Sequence, residues 1–229
     1  AHMVRTVEHA FALSEASNMP AMLELRIRAC HVRGRFECKD NLAPRLSTRQ
    51  LMDEPASFDY IRLAHPPSTF RHEKLKTEQR IPAAQRYIVE HRLNERITGA
   101  RHGELGLIVQ GGLANSVQRA LQHLGLADAF GGSDLDQLVL NVTYPLVPAE
   151  ITDFCAGKRA VLVVEEGSPE YIEKDIVLAL RRQDLGTPLH GKDLLPAAGE
   201  YSVEVLAQGL IGFVERHLPQ VDLGSARAW

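Results

Sequence analysis

Three runs decide the fold: LGLIVQGG at 105–112, NVTYPLVP at 141–148 and VLVVEEGSPEYIE at 161–173. Each apolar stretch stops at a polar, glycine or proline corner and leads into residues with helical spacing. That rhythm is how a parallel α/β sheet, buried on both faces, presents its carboxyl edge. The pattern predicts strands over 105–110, 137–142 and 160–164. Helices are expected after each: one with Leu113, Val117, Leu121 and Leu124 on a face and Gly125 as its C-cap, a short one ending by Gly157, and one carrying Tyr171, Ile172, Ile176 and Leu180. A last helix aligns Val203, Leu206, Leu210, Phe213, Val214 and His217 along one stripe.

Upstream of these units the pattern changes. Val4, Val7 and Phe11 follow a helical period that Asn18-Met19-Pro20 ends, and Leu23, Leu25 and Ile27 then alternate with Glu24, Arg26 and Arg28 as in a half-buried strand over 21–29. From 30 to 67 periodicity is poor and prolines punctuate the chain, with a short strand suggested at 60–63. Residues 68–96 read as helix broken near Pro82, whose ring removes a backbone donor. Between Arg71 and Arg101 eight Arg or Lys stand against four Glu, a locally basic stretch without interleaved stacking aromatics. The division is a tail of a preceding α/β domain at 1–40, a connector at 41–102 and a second α/β domain at 103–229. Ala1-His2-Met3 has the look of a cloning remnant, and the abrupt start inside a helical pattern suggests a segment cut from a longer protein.

Composition sets bounds. The 229 residues are 45% hydrophobic, enough for a sizeable core, and a net charge of −3 gives no general attraction to nucleic acid or anionic membrane. Cys30, Cys38 and Cys155 are irregularly spaced, which suits a reducing, cytoplasmic compartment better than a disulfide framework. No run approaches the roughly 20 apolar residues of a spanning helix.

The candidate sites lie at the corners. Gly111-Gly112, with Asn115 and Ser116 near, sits where a strand turns into a helix and could offer amides to a phosphate or carboxylate. It lacks the third glycine of a dinucleotide fingerprint and the Lys-Ser/Thr of a P-loop, so a tight βα corner is the plainer account. Asn141 and Tyr144 mark a second corner, read either as loop capping or as an inter-domain contact. Glu165 and Glu166 mark the third; adjacent residues on an extended chain point to opposite faces, which rules out a tight acid/base pair. Ten histidines show no metal-ligand spacing, and the cysteines form no CxxC or cluster run. No catalytic residue and no metal ligand is assigned.

The three runs, with LHGKDLLP at 189–196 and GEYS at 199–202, together resemble the alpha subunit of indolepyruvate ferredoxin oxidoreductase, one of the thiamine-diphosphate-dependent 2-oxoacid:ferredoxin oxidoreductases. MLELRIRACHVRG at 22–34 is similar to the last strand of that family's pyrimidine-binding domain. The resemblance implies a transketolase C-terminal-like, three-layer domain of about five mostly parallel strands, preceded by a helix-strand remnant and a helical connector. It implies an enzyme that oxidatively decarboxylates an aryl-2-oxoacid to an acyl-CoA on thiamine diphosphate with magnesium, and passes electrons through iron–sulfur clusters to ferredoxin. The diphosphate–magnesium motif GDG…N and the cluster cysteines are missing here, so no cofactor is expected in this segment and it is expected to be inactive alone.

Its expected partners are the remainder of the subunit, a second beta- or gamma-type subunit, ferredoxin, CoA and the oxoacid, with no nucleic acid or membrane and with homo-oligomer formation. Carried over by motif, Gly111, Gly112 and Asn115 are an anion or CoA corner, and Asn141, Tyr144, Glu165 and Glu166 are interface positions. The alternatives are a free-standing anion- or nucleotide-binding module, which Gly112→Val would abolish, and an interaction scaffold.

Overall fold

In the computed structural model, residues 2–31, 33–41, 43 and 65–223 are described; the strand expected at 60–63 lies outside them. The chain divides into two units, Ala1–Tyr87 and Ile88–Trp229.

The second unit is an α/β domain. Its strands are β1 (Glu95–Ile97), β2 (His102–Gln110), β3 (Leu135–Leu140), β4 (Ala160–Val164) and β5 (Leu189–His190). They form one sheet in the order β1-β3-β2-β4-β5, with β1 antiparallel to β3 and the other pairs parallel. About five mostly parallel strands were expected, and five are found. The expected strands at 105–110 and 160–164 are present, the first extended back to His102; the 137–142 run is shifted to 135–140, because Asn141 and Val142 turn away to bond the chain before β1.

Alternation along the strands builds the two cores. Leu105, Leu107 and Val109 of β2 and Ala160, Leu162 and Val164 of β4 face one layer, where they meet α4 (Ala114–His123) and α7 (Val203–His217). The intervening Ile108, Val161 and Val163 face the other, against α5 (Pro148–Cys155) and α6 (Tyr171–Arg182). Leu206, Leu210, Phe213 and Val214 of α7 are essentially fully buried, each stabilising by roughly 1.5–3 kcal/mol before ordering entropy. Gly106 is required where β2 passes α5, since a Cβ there would lie 2.8 Å from the Phe154 ring. The helix ends follow the expected chemistry. Gly125, at φ +70°, closes α4 with Gly125 N–H donating to Gln122 O and Leu126 N–H to Leu121 O.

The first unit contains α1 (His2–Ser17), α2 (Ser68–Leu75), a π-helical turn over Lys76–Arg80, and α3 (Ile81–Glu90), which runs across the unit boundary. The wide turn stands immediately before Ile81-Pro82, where an α-helical register would drive the proline ring into the carbonyl four residues back. Two expectations are corrected. The helix does not reach Arg96: Arg92 takes φ +50°, Leu93 N–H bonds Ile88 O, and the chain turns into β1. The alternating segment 21–29 is not a strand but irregular chain ending in one helical turn, Ile27–Cys30. A single strand without a partner edge leaves its amides unpaired. Its apolar side chains stay in water, Met22 at 89% and Ile27 at 81% exposure, and Val4, Val7 and Phe11 of α1 are exposed as well.

Candidate functional site

In a doubly wound sheet, ligands sit outside the carboxyl ends of adjacent strands whose connections leave to opposite faces. Here the chain after β2 enters α4 on one face, and the chain after β4 enters α6 on the other. The switch point therefore lies between Gln110-Gly111 and Glu165-Glu166.

The two glutamates diverge as strand alternation requires. Glu165 is buried and turns to α6: Oε1 accepts from Tyr171 N–H and Ile172 N–H at 3.0 Å each, and Oε2 from Glu173 N–H at 3.1 Å. Its charge fills the positive end of that helix. Glu166 turns to the opposite layer, where Oε2 accepts from Tyr201 N–H at 2.6 Å, while its own N–H donates to Gln110 Oε1 at 3.2 Å.

Lys192 ties the corner together. Its Nζ donates to Glu165 O and, at 2.7 Å, to Tyr201 Oη, which donates in turn to Pro196 O at 2.6 Å. Burial pulls the Lys192 ammonium below its ordinary range, against the raising effect of Glu165, Glu173, Glu170 and Glu166. Burial, with the charges of Glu166, Glu165 and Glu173, pushes the Tyr201 phenol up to about 12, so it remains a neutral donor. Both residues lie in the LHGKDLLP and GEYS motifs, yet nothing in their spacing announced this convergence.

The other corners are also turned inward. A Cβ on Gly111 would fall 2.9 Å from Asn141 Oδ1 and 3.0 Å from Leu140 O, so that glycine serves a close approach. Gly111–Leu113 forms a 3-10 turn into α4, with Gly112 and Asn115 exposed. Asn141 Nδ2 donates to Leu93 O at 2.9 Å and Glu95 Oε1 at 2.7 Å, and Val142 N–H donates to Asn94 Oδ1 at 3.1 Å, which ties the second corner to the chain leading into β1. Tyr144 is 65% exposed. Cys155 is buried, and burial pushes its thiol up to about 11, which removes it as a nucleophile at neutral pH.

Among the described residues no buried side-chain nitrogen or oxygen lacks a hydrogen-bond partner, and no three His, Cys, Asp or Glu are grouped to hold a metal. A diphosphate with its magnesium ion needs open amides and convergent carboxylate oxygens. The first amides of α6 are taken by Glu165, and Asn141 fills the space at Gly111, so these two corners do not fit that group. No described helix is long and apolar enough to cross a membrane.

No family model matches the chain. Curated relatives do. It is 30% identical over 224 residues to the indolepyruvate oxidoreductase subunit IorA of Methanothermobacter thermautotrophicus, covering 95% of this chain and 34% of that protein. It is 29% identical over 208 residues to the same subunit of Methanothermobacter marburgensis, covering 90% of this chain and 31% of that protein. Among solved structures, a 2-oxoglutarate:ferredoxin oxidoreductase from Magnetococcus marinus shares 15% identity at a TM-score of 0.43 over 87% of this chain and 29% of its own, a likeness too loose to argue from. The chain spans about a third of the length of the curated relatives it matches. Over 95% of its residues, then, this chain resembles a segment of the indolepyruvate oxidoreductase subunit IorA.

Proposed function

We propose that this chain is a non-catalytic assembly segment of a thiamine-diphosphate-dependent indolepyruvate, or aryl-2-oxoacid, ferredoxin oxidoreductase. The reading carries with it the end of a pyrimidine-binding-like domain at 1–40, a connector at 41–102 and a transketolase C-terminal-like domain at 103–229. Its partners would be the rest of the parent subunit, a second subunit, ferredoxin, CoA and the oxoacid, in a cytoplasmic oligomer. The reactive cofactor and the iron–sulfur clusters would be held by other segments.

One observation carries the reading: at the switch point, where a catalytic sheet would open polar groups to a ligand, Glu165, Glu166, Lys192 and Tyr201 bind one another's segments. The exposed Val4, Val7, Phe11, Met22 and Ile27 leave apolar surface of the kind that assembly buries. The alternating 21–29 pattern fits a strand that forms only against a partner's edge.

The test is titration calorimetry of the chain with thiamine diphosphate and magnesium, alongside an assay for indolepyruvate-dependent electron transfer. No saturable heat and no turnover are expected. A dissociation constant of micromolar order, or turnover by the chain alone, would overturn the reading.

A further inference from the structure

A second cluster, separate from the switch point, joins the sheet edge to the last helix. His190 ends β5 and His217 ends α7, and their Nε2 atoms face each other at 2.9 Å. Two facing ring nitrogens at that distance share one proton. Which ring carries it follows from Asp193, whose Oδ2 lies 2.7 Å from His190 Nδ1. A carboxylate only accepts, so His190 Nδ1 carries hydrogen, His190 Nε2 presents its lone pair, and His217 Nε2–H donates.

We propose that this pair is a proton-gated latch, closed with one proton between the rings and opened when both facing nitrogens are protonated. A first added proton goes to His217 Nδ1 and leaves the contact intact. A second has only His190 Nε2 to occupy, and two N–H groups then oppose each other. β5 is two residues long and pairs with Val161 and Leu162 of β4, and the turn after it is tied by Gly191 N–H to Asp193 Oδ1 at 2.9 Å and by Lys192 N–H to Glu173 Oε2 at 3.2 Å. The next residues are Gly191 and Lys192, whose ammonium bonds Glu165 O and Tyr201 Oη. Opening the latch therefore loosens the turn that positions the switch-point corner.

The surroundings set the threshold. Arg216 Nη1 lies 3.3 Å from Asp193 Oδ2 and 3.4 Å from His190 Nδ1, Arg159 Nη1 donates to His217 O at 2.9 Å, and the Phe213 ring packs at 5.9 Å from His190 and 5.4 Å from His217. The two guanidiniums oppose uptake of positive charge by His217. Burial, with His190, Arg216 and Arg159, holds the His217 imidazole below its ordinary range. The sign follows: a histidine with a depressed folded value contributes stability above its ordinary value of about 6.5, and that contribution is lost as pH falls.

Amide hydrogen exchange on the full chain tests the latch at about pH 7.5 and about pH 5, corrected for intrinsic rates. Protection over residues 189–193 and 215–218 is expected to fall about tenfold or more at the lower pH, while β2 and α4 keep theirs. His217→Gln should keep protection at both, since its amide donates to the neutral His190 ring and, flipped, accepts from the protonated one. Unchanged protection in the wild-type segment, or loss in His217→Gln equal to wild type, would overturn the latch. Should that variant fail to fold, the wild-type imidazole resonances decide: two coupled titration steps support the pair, and independent titration of both rings near 6.5 sinks it.

Discussion

Lys158 Nζ lies 2.5 Å from Asp136 Oδ2, with each side chain only 9% exposed, and it joins the approach to β4 to the start of β3. The same ammonium donates to Gly103 O at 2.6 Å, while Gly99 N–H donates to Asp136 Oδ1 at 2.6 Å. Burial alone would raise the Asp136 carboxyl; the hydrogen bonds from Lys158 and Gly99, with the charges of Lys158 and Arg96, more than offset it and leave the group below its usual range. Lys158→Met strands a buried carboxylate and is expected to cost about 3 kcal/mol in urea unfolding at neutral pH. The wild-type contribution of Asp136 is present above the ordinary carboxylate value near 4 and lost as pH falls below it. The gap between wild type and Lys158→Met should therefore narrow in acid, and a constant gap would count against the pair.

Glu165 and Glu166 should separate in mutagenesis. Glu165→Ala leaves three first-turn amides of α6 without their acceptor and is expected to cost about 2 kcal/mol. Glu166→Ala removes the bond to Tyr201 N–H and is expected to cost about 1 kcal/mol. Chemical denaturation of both variants measures the difference, and equal losses would contradict the assignment of Glu165 as the cap of α6.

Arg92 and Asp184 stand at the helix-ending position that Gly125 fills in α4, at φ +50° and +51° against +70° for the glycine. Arg92→Gly and Asp184→Gly are each expected to raise stability by about 0.5–1 kcal/mol by relieving a left-handed backbone, while Gly125→Ala should lower it by about 1 kcal/mol. Melting temperatures of the three variants test the set. A loss in Asp184→Gly would mean that its exposed pairing with Arg181 outweighs the backbone term.

Thiol reagents should distinguish the cysteines. Cys30 and Cys38 are exposed, whereas Cys155 is buried with its thiol pushed up to about 11. Two thiols are expected to react in the native chain and the third only on unfolding, counted by absorbance or mass. Fast labelling of Cys155 in the native state would show that α5 opens far more readily than its packing implies.

Much of the α/β domain was legible because its strands are buried on both faces, so their apolar runs need no partner outside the chain to make sense. Ala160–Val164 and Tyr171–Arg182 stand where the pattern placed them. β1 was hidden because Glu95-Arg96-Ile97 carries no apolar run and follows a helix closed by an arginine in place of a glycine. The 21–29 segment shows the opposite failure: its alternation is sound, yet a strand needs an edge to bond. Of the candidate site, the divergence of Glu165 and Glu166 follows from chain geometry alone. The Lys192–Tyr201 contact was not readable, because it depends on how a long loop folds back.

Both borders of the sheet are short, three residues in β1 and two in β5. Borders of that length give incoming chains almost no backbone template, so ordered fibre growth from this domain is disfavoured. Large apolar side chains stand exposed on both units, among them Phe11 and Ile27 on the first and Phe130 on the second, and polar replacements there are where a formulation effort should begin.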